Sequence, residues 1–251
     1  MSIWHSRSTT DRKTHFFRKR GQEFILPLIL KDFNMGATIL NARNKRVLTQ
    51  YIKQAAVLYD KYLLNRDFLV ICDDFSTYKI QFHRKKFQHL TGIKTSLSET
   101  NFFNNALNGI IAESDLSTQQ KYDFSTLKKK CCRLTKADLF FNSHTKTTLF
   151  IECLHTHTYD FPIAINNIEL DMCVACKSNH SFFEASSLRT SSNSKNAYKI
   201  KTIICVISKM QNEEKFTNIN YISNIKLIVN NVPNFKNIIS DEIADKFSYI
   251  I

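Results

Sequence analysis

The second half of the chain narrows most sharply what it can fold into. LFIECL (149–154), IELDMCVAC (168–176), IKTIICVIS (200–208) and IKLIV (225–229) are dense in β-branched and apolar residues and are separated by polar turns. Such segments favour extended strands. The spacers between them are too short and too polar to be crossover helices, so the strands are expected to pair antiparallel. The first half reads differently. Leu48, Ile52, Ala55, Tyr59, Tyr62 and Leu63 recur at three- and four-residue spacings, which predicts a helix over 43–65. FLVIC (68–72), the Asp- and Ser-rich turn DDFST (73–77) and the alternating YKIQF (78–82) predict a hairpin. A second helix is expected after Ser98, which can cap it, with Glu99 in its first turn and Gly109 near its end. A third, from Asp123 to Ala137, has a core LKKKCCRLTK with a basic exposed side and a Leu and Cys inner side. Three helices followed by four strands predict an α+β fold, with N-terminal helices packed on a small antiparallel β-sheet.

The remaining segments divide by composition. Residues 1–40 read as a basic arm followed by an apolar extension, 41–230 as the folded domain, and 231–251 as a tail or a short closing helix. SSLRTSSNSKN (186–196) is expected to be a surface loop. Lys and Arg exceed Asp and Glu by 35 to 22, a formal charge of +13, which points to a polyanionic partner, nucleic acid before membrane. A lysine-rich composition drawn from an AT-rich genome is the plainer account of the same surplus. Seven cysteines without a regular framework, several of them inside apolar runs, suit free thiols in a reducing cytoplasm. The run FILPLIL stops at Lys31 and Asp32, far short of a membrane span, and no secretory signal is visible, so a cytoplasmic location is expected.

With four glycines the chain has no phosphate-binding glycine loop, and hydrolase-elbow, zincin and kinase motifs are also missing. Cys153, His155, His157, Cys173, Cys176 and His180 place six metal-ligand types within 28 residues. Cys173 and Cys176, however, lie in an apolar strand at an odd spacing and would face opposite sides, so they are read as ordinary strand residues, with no metal and no cofactor expected. The stretch YKIQFHRKKFQHLTGIK (78–94) carries the more productive pattern. Lys79, Gln81 and His83 would share one strand face opposite Tyr78, Ile80 and Phe82, and Arg84, Lys85 and Lys86 extend the positive surface towards His89. Cations for phosphates combined with aromatic or guanidinium planes for bases are what single-stranded RNA binding needs. Metal-independent cleavage adds only a base for the 2′-hydroxyl, an acid for the leaving 5′-oxygen and a cation for the phosphorane.

FQHLTGIK, then NFFNNALNGII and LKKKCCRL, and later ASSLRT (185–190), KIKTIICVISK (199–209) and FTNINYI (216–222), resemble the phage-associated group of barnase/EndoU/colicin/RelE-like nucleases. Ala185 and Ser186 stand where a proline is expected near Ser187, and the strand before that loop is unusually rich in cysteine. The resemblance implies N-terminal helices on a small antiparallel sheet and a metal-independent ribonuclease used as a toxin or effector in phage–host conflict. It assigns catalysis to His89 as acid or base, Lys94 and Arg189 as a phosphate clamp, and Ser187 as a hydrogen-bond donor to phosphate. Lys79, His83, Arg84, Lys85, Lys86, Thr91 and Gly92 are the expected nucleic-acid contacts. The implied partners are RNA, with tRNA a candidate, and a cognate immunity or antitoxin protein. A non-catalytic nucleic-acid-binding protein and a phage structural or partner-binding protein are the alternative readings.

Overall fold

A computed structural model describes residues 38–142, 148–156, 159–223 and 237–248. The basic arm and most of the apolar extension, His157, and the segment IKLIV lie outside the described residues. The first half runs β1 (Thr38–Ile39), α1 (Ala42–Tyr62), β2 (Arg66–Cys72), β3 (Thr77–Gln81), a 3-10 turn (Arg84–Lys86), α2 (Phe87–Thr91), α3 (Glu99–Asn108), β4 (Gln119–Gln120), α4 (Phe124–Leu134) and α5 (Ala137–Phe140). It is followed by β5 (Thr148–His155), β6 (Asp160–Asn167), β7 (Met172–Asn179), β8 (Phe182–Arg189), a 3-10 segment (Ser191–Asn196), β9 (Ala197–Met210), β10 (Asn218–Ile222) and α6 (Asp241–Ser248).

The small sheet with helices on one face is not what forms. The main sheet has eight strands in the order β10-β9-β2-β3-β8-β7-β6-β5, and β5 pairs again with β9, so seven of them close into a barrel. Closure rests on the 14 residues of β9. Its C-terminal half pairs with β2, from Ile203 to Met210, while its N-terminal half, from Ala197 to Thr202, pairs with β5. The pairing is antiparallel except between β3 and β8, which meet in parallel at Ile80–Phe183 and Gln81–Glu184. A closed sheet leaves few unpaired edges. The expected loop at 186–196 is likewise corrected: Ser186 to Arg189 continue β8, paired with β7, and only Ser191–Asn196 leave the sheet.

The interior is aromatic. β3 and β5 are not neighbours in the sheet, so the Tyr78 ring stacked on Phe150 at 4.0 Å spans the barrel. Ile80, Ile163, Ile165, Val174, Cys176, Ala185 and Ile203 belong to the same buried cluster. The helices meet this core at the end marked by Phe68 and Phe82. Phe141 stacks on Phe68 at 4.3 Å, and Tyr59 of α1 lies edge-on to Phe82 at 5.9 Å. Leu48, Ile52, Ala55, Ala56 and Tyr59 of α1 are fully buried there, the stripe that the helical spacing predicted. The outer side of β2 and β9 is covered instead by α6, whose Ile243 and Phe247 pack with Leu69, Ile71, Ile204 and Ile207. Local signals hold where the sequence placed them. Ser98 caps α3 through its side chain as expected, and Asp123, the expected start of the third helix, caps α4; Asn41, which the sequence reading did not single out, caps α1. Gly109 ends α3 in the left-handed region at φ 70°.

Candidate functional site

The turn after β3 carries the aromatic-basic stretch onto the barrel's outer surface. Tyr78, Ile80 and Phe82 point inwards, which leaves Lys79 and Gln81 outside. Both are committed to structure there. Lys79 Nζ lies 2.8 Å from the buried Asp67 carboxylate, and Gln81 Nε2 donates to the other oxygen of Asp67. The chain then turns through Arg84–Lys86 into α2, which ends at Thr91 and Gly92. Thr91 is fully buried, and its hydroxyl donates to the Gln88 carbonyl and accepts from Ile93 N–H. Gly92 adopts φ 73°, and a Cβ there would stand 3.0 Å from the Tyr122 ring and 3.2 Å from Lys130 Cδ. Thr91 and Gly92 therefore shape the turn from within. Lys94 is exposed, and its backbone is clamped by both ends of the Gln120 amide.

His89, in the last turn of α2, faces a cleft of about 280 Å³. Lys86, Lys121, Tyr122, Tyr159, Phe161, Lys177, Ser186, Ser187 and Arg189 line the rest of it. Ser187 and Arg189 reach it because β8 is bulged. Ala175 pairs with Ser187 and Cys173 with Arg189, whereas Cys176 pairs with Ala185, so Ser187 and Arg189 follow the outward face of β7. The structure thus brings His89, Lys86, Ser187 and Arg189 together and leaves Lys94, Thr91, Gly92 and Lys79 out of the lining.

The electrostatics of this cleft are one-sided, since no carboxylate lines it. Lys121, Lys177 and Arg189 have no ion-pair partner among the described residues, and Arg189 Nε is buried without a hydrogen-bond partner there. The cations rest on aromatic faces instead: Arg189 over Phe161 at 5.4 Å, Lys177 over Tyr159 at 4.7 Å and Lys121 over Tyr122 at 5.6 Å. His89 pairs with a carboxylate that stands outside the lining. Its Nε2 lies 2.8 Å from Glu99 Oε1, with the ring side chain 55% and the carboxylate 42% exposed. A carboxylate in that position orients an imidazole.

Behind the cleft sits Lys130, which the LKKKCCRL pattern had assigned to an exposed basic side. It is only 8% exposed. Its ammonium donates to the Leu188 carbonyl, between Ser187 and Arg189, and lies 5.4 Å from the Tyr122 ring. Burial first, then the nearby Arg189 and Arg133, push its pKa down from 10.5 to about 8. The signal was present: Leu127, Lys130, Cys131 and Leu134 fall at i, i+3, i+4 and i+7, so a lysine occupies a core position of the helix. Glu99 gave no such signal, because a helix N-terminus suffices to explain it. Tyr159 and Phe161 flank or open β6, a strand that DFPIAINN, with its proline, does not announce.

The remaining expected contacts border a second cleft of about 500 Å³, lined by His83, Arg84, Lys85 and Lys86 together with Glu99, Asn179 and Glu184. As for metals, Cys173 and Cys176 fall into different buried clusters on opposite faces of β7. Burial pushes the thiols of Cys72, Cys131, Cys173 and Cys205 up to about 12. Among the described residues no cluster of His, Cys, Asp and Glu could hold an ion, and no helix is long and apolar enough to cross a membrane.

The outer face of the barrel thus gathers into one cleft a carboxylate-held histidine and three cations, Lys121, Lys177 and Arg189, that have no ion-pair partner among the described residues. Over residues 51–246 the chain matches the sequence model of a family described as phage-Barnase-EndoU-ColicinE5/D-RelE like nuclease4. More than half of the chain is covered, and it belongs to that nuclease family. No curated protein and no solved structure matches it.

Proposed function

We propose that the chain is a ribonuclease that cleaves RNA by general acid–base transesterification without a metal ion. The observation that carries this reading is the His89–Glu99 pair at the edge of a cleft where Lys121, Lys177 and Arg189 have no ion-pair partner among the described residues. Arg189, Lys121 and Lys177 bind the scissile phosphate and hold the charge that grows on it in the phosphorane. Ser187 donates a hydrogen bond to a non-bridging oxygen. His89, oriented by Glu99, takes the proton of the 2′-hydroxyl as its oxygen attacks phosphorus. The bond from phosphorus to the 5′-oxygen breaks, and a lysine ammonium of the cleft protonates the leaving oxygen. The products are a 2′,3′-cyclic phosphate and a free 5′-hydroxyl. Tyr122 and Tyr159 supply faces for the flanking bases. Lys94 has no part in this scheme; Lys121 and Lys177 take the phosphate-binding role expected of it.

Within the family's phage setting, the substrate is host or phage RNA in the cytoplasm, with tRNA the first to assay, and a protein that occludes the cationic cleft would serve as immunity factor. The test is incubation of the full chain with total RNA and tRNA in EDTA. Cleavage that leaves cyclic phosphate ends and disappears in His89→Ala supports the proposal. Salt-sensitive binding with intact RNA makes the chain a binding protein instead. Activity abolished by EDTA and restored by a divalent ion overturns the metal-free mechanism.

A further inference from the structure

The row that packs α4 into the core holds Leu127, Lys130, Cys131 and Leu134, and a lysine is the odd member of it. Burying an ammonium is unfavourable unless an anion or several acceptors receive it. Among the described residues no carboxylate pairs with Lys130, and one of its N–H donors goes to the Leu188 carbonyl. A methionine would serve the helix better. What the ammonium holds is more informative. β8 has β7 beside it from Phe182 to Arg189, but β3 pairs with it only at Phe183 and Glu184. Residues 185–189 therefore have no strand on their second side among the described residues. The same segment bulges against β7 and carries Ser187 and Arg189 into the cationic cleft, while the Leu188 side chain is buried in the core. A bulged strand end without a second neighbour is weakly fixed in twist and register. Lys130 supplies a bond on that open side. Its stem runs past Gly92, where a Cβ would stand 3.2 Å from Lys130 Cδ and 3.0 Å from the Tyr122 ring.

We infer that Lys130 is a positioning residue for the cationic cleft: it stands in for the missing strand beside residues 185–189 and fixes Ser187 and Arg189 where both can meet one phosphate. The inference rests on the ribonuclease reading for the reaction it serves. Its own content is mechanical. The Leu188 carbonyl belongs to the peptide that joins Leu188 to Arg189. With that bond gone the peptide can rotate about a core-anchored Leu188, and the displacement grows along the Arg189 stem to the guanidinium. Arg189 has little else to hold it: it rests on Phe161 at 5.4 Å, and its Nε has no hydrogen-bond partner among the described residues. Cations already in place stabilise a developing phosphorane charge better than cations that must first rearrange. Lys130 itself is absent from the cleft's lining, so it acts through β8 and through the Tyr122 ring, 5.4 Å from its ammonium. Burial, Arg189 and Arg133 lower its pKa to about 8, a measure of how poorly this place suits the charge it keeps.

The experiment is a double-mutant cycle on the full chain: wild type, Lys130→Met, Arg189→Ala and the double variant, read by binding and by RNA cleavage. Binding uses a short all-2′-deoxy oligonucleotide, which keeps the phosphates but lacks the attacking hydroxyl, so it is measured whether or not the chain cuts RNA. Lys130→Met is expected to weaken binding about tenfold in the wild type and less than about twofold in Arg189→Ala, because a residue that acts through Arg189 then has nothing to act on. Its thermal midpoint at pH 7 should not fall, since methionine removes a buried charge. A lysine that merely holds the fold together gives the other pattern, a lower midpoint with the same loss of binding in both backgrounds. Should Lys130→Met not fold, Lys130→Gln, which keeps an N–H donor on a shorter stem, takes its place in the cycle with the same expected coupling. Equal loss in both backgrounds, or no loss in either, overturns the inference. The two proposals fail separately. Coupled binding with RNA left intact removes only the ribonuclease reading, whereas cleavage that Lys130→Met leaves at the wild-type rate removes only the positioning role. If Arg189→Ala binds as the wild type does, both fall.

Discussion

Two buried lysines, one towards each end of the strand β3, show how differently this molecule uses charge. Lys201 sits beside the turn that opens β3, is 6% exposed, and is fully partnered. Its ammonium lies 2.9 Å from Asp74 and 2.5 Å from Glu152, and it donates to Tyr78 Oη at 2.8 Å and Ser76 Oγ at 2.9 Å. Burial alone would lower its pKa, but the bonds to Glu152, Tyr78 and Asp74 outweigh that and raise it. Lys130, under the cleft beyond the other end of β3, has a backbone carbonyl as its acceptor and no carboxylate among the described residues. Its pKa falls. A closed network of this kind fastens a barrel end, whereas cations left without anions are available to a ligand. The contrast separates compensated from uncompensated charge without reference to total charge.

Substitutions in the cleft are expected to produce the largest effects. His89→Ala and Arg189→Ala should each lower RNA cleavage by about 10²–10⁴-fold, the range for a positioned proton-transfer group or a charge-stabilising donor. Thermal melts of both variants should stay close to the wild type, because His89 is exposed and Arg189, apart from its contact with Phe161, has no ion pair to lose among the described residues. Lys201→Met should do the reverse, lowering the melting temperature and leaving the rate per folded molecule within a few-fold of wild type. A Lys201→Met protein that melts normally but no longer cleaves would move the active site to the other end of the barrel.

The two lysines also predict opposite responses to pH. Because the folded pKa of Lys130 is depressed to about 8 from 10.5, the unfolded chain binds more protons between those values, and stability should rise with pH across that window. The full shift corresponds to about 3 kcal/mol, an upper bound for the effect. Lys130→Met should remove this rise, so the two urea-melt curves converge as pH climbs from 8 to 10.5. Near Lys201 the signature is acidic. Asp74 is held below its ordinary 3.8 by Ser76 and then Lys201, and Glu152 below 4.5 by Lys201 and then Tyr78. Their contribution is present above those ordinary values and is lost as pH falls through the lower folded ones. Lys201→Met should cost about 2 kcal/mol at pH 7, with a smaller further loss on acidification than the wild type shows.

What the sequence disclosed follows the range over which each signal acts. The stripe on α1, the cap Ser98, the helix start at Asp123 and the β2–β3 hairpin are local, and all could be read from a few neighbouring residues. The barrel could not, because closure depends on Leu149 meeting Thr202 and Ile80 meeting Phe183, pairings between distant segments that no local pattern specifies. β6 and the C-terminal end of β8 were obscured by Pro162 and by serines that suit a turn as readily as a strand edge. His89, Ser187 and Arg189 were singled out through the family resemblance, and the bulge in β8 accounts for their shared cleft. Glu99, Lys121 and Lys177 join the same region only through tertiary contact.

The smallest expected effect tests the boundary between the two kinds of residue. Gly92 belongs to the HLTG turn, yet it is not in the cleft's lining and contacts the back of it. At φ 73° an alanine is strained by about 1 kcal/mol, and its Cβ would press on the Tyr122 ring at 3.0 Å and on Lys130 Cδ at 3.2 Å. The Lys130 stem can yield, but the ring can do so only by shifting into the cleft. Gly92→Ala should therefore lower the thermal midpoint by a few degrees and weaken RNA binding a few-fold, with the pH dependence of cleavage unchanged because His89 and Glu99 keep their pairing. A stability loss with no change in RNA affinity would make Tyr122 a wall rather than a base platform and leave Tyr159 and Phe161 as the aromatic surfaces of the cleft.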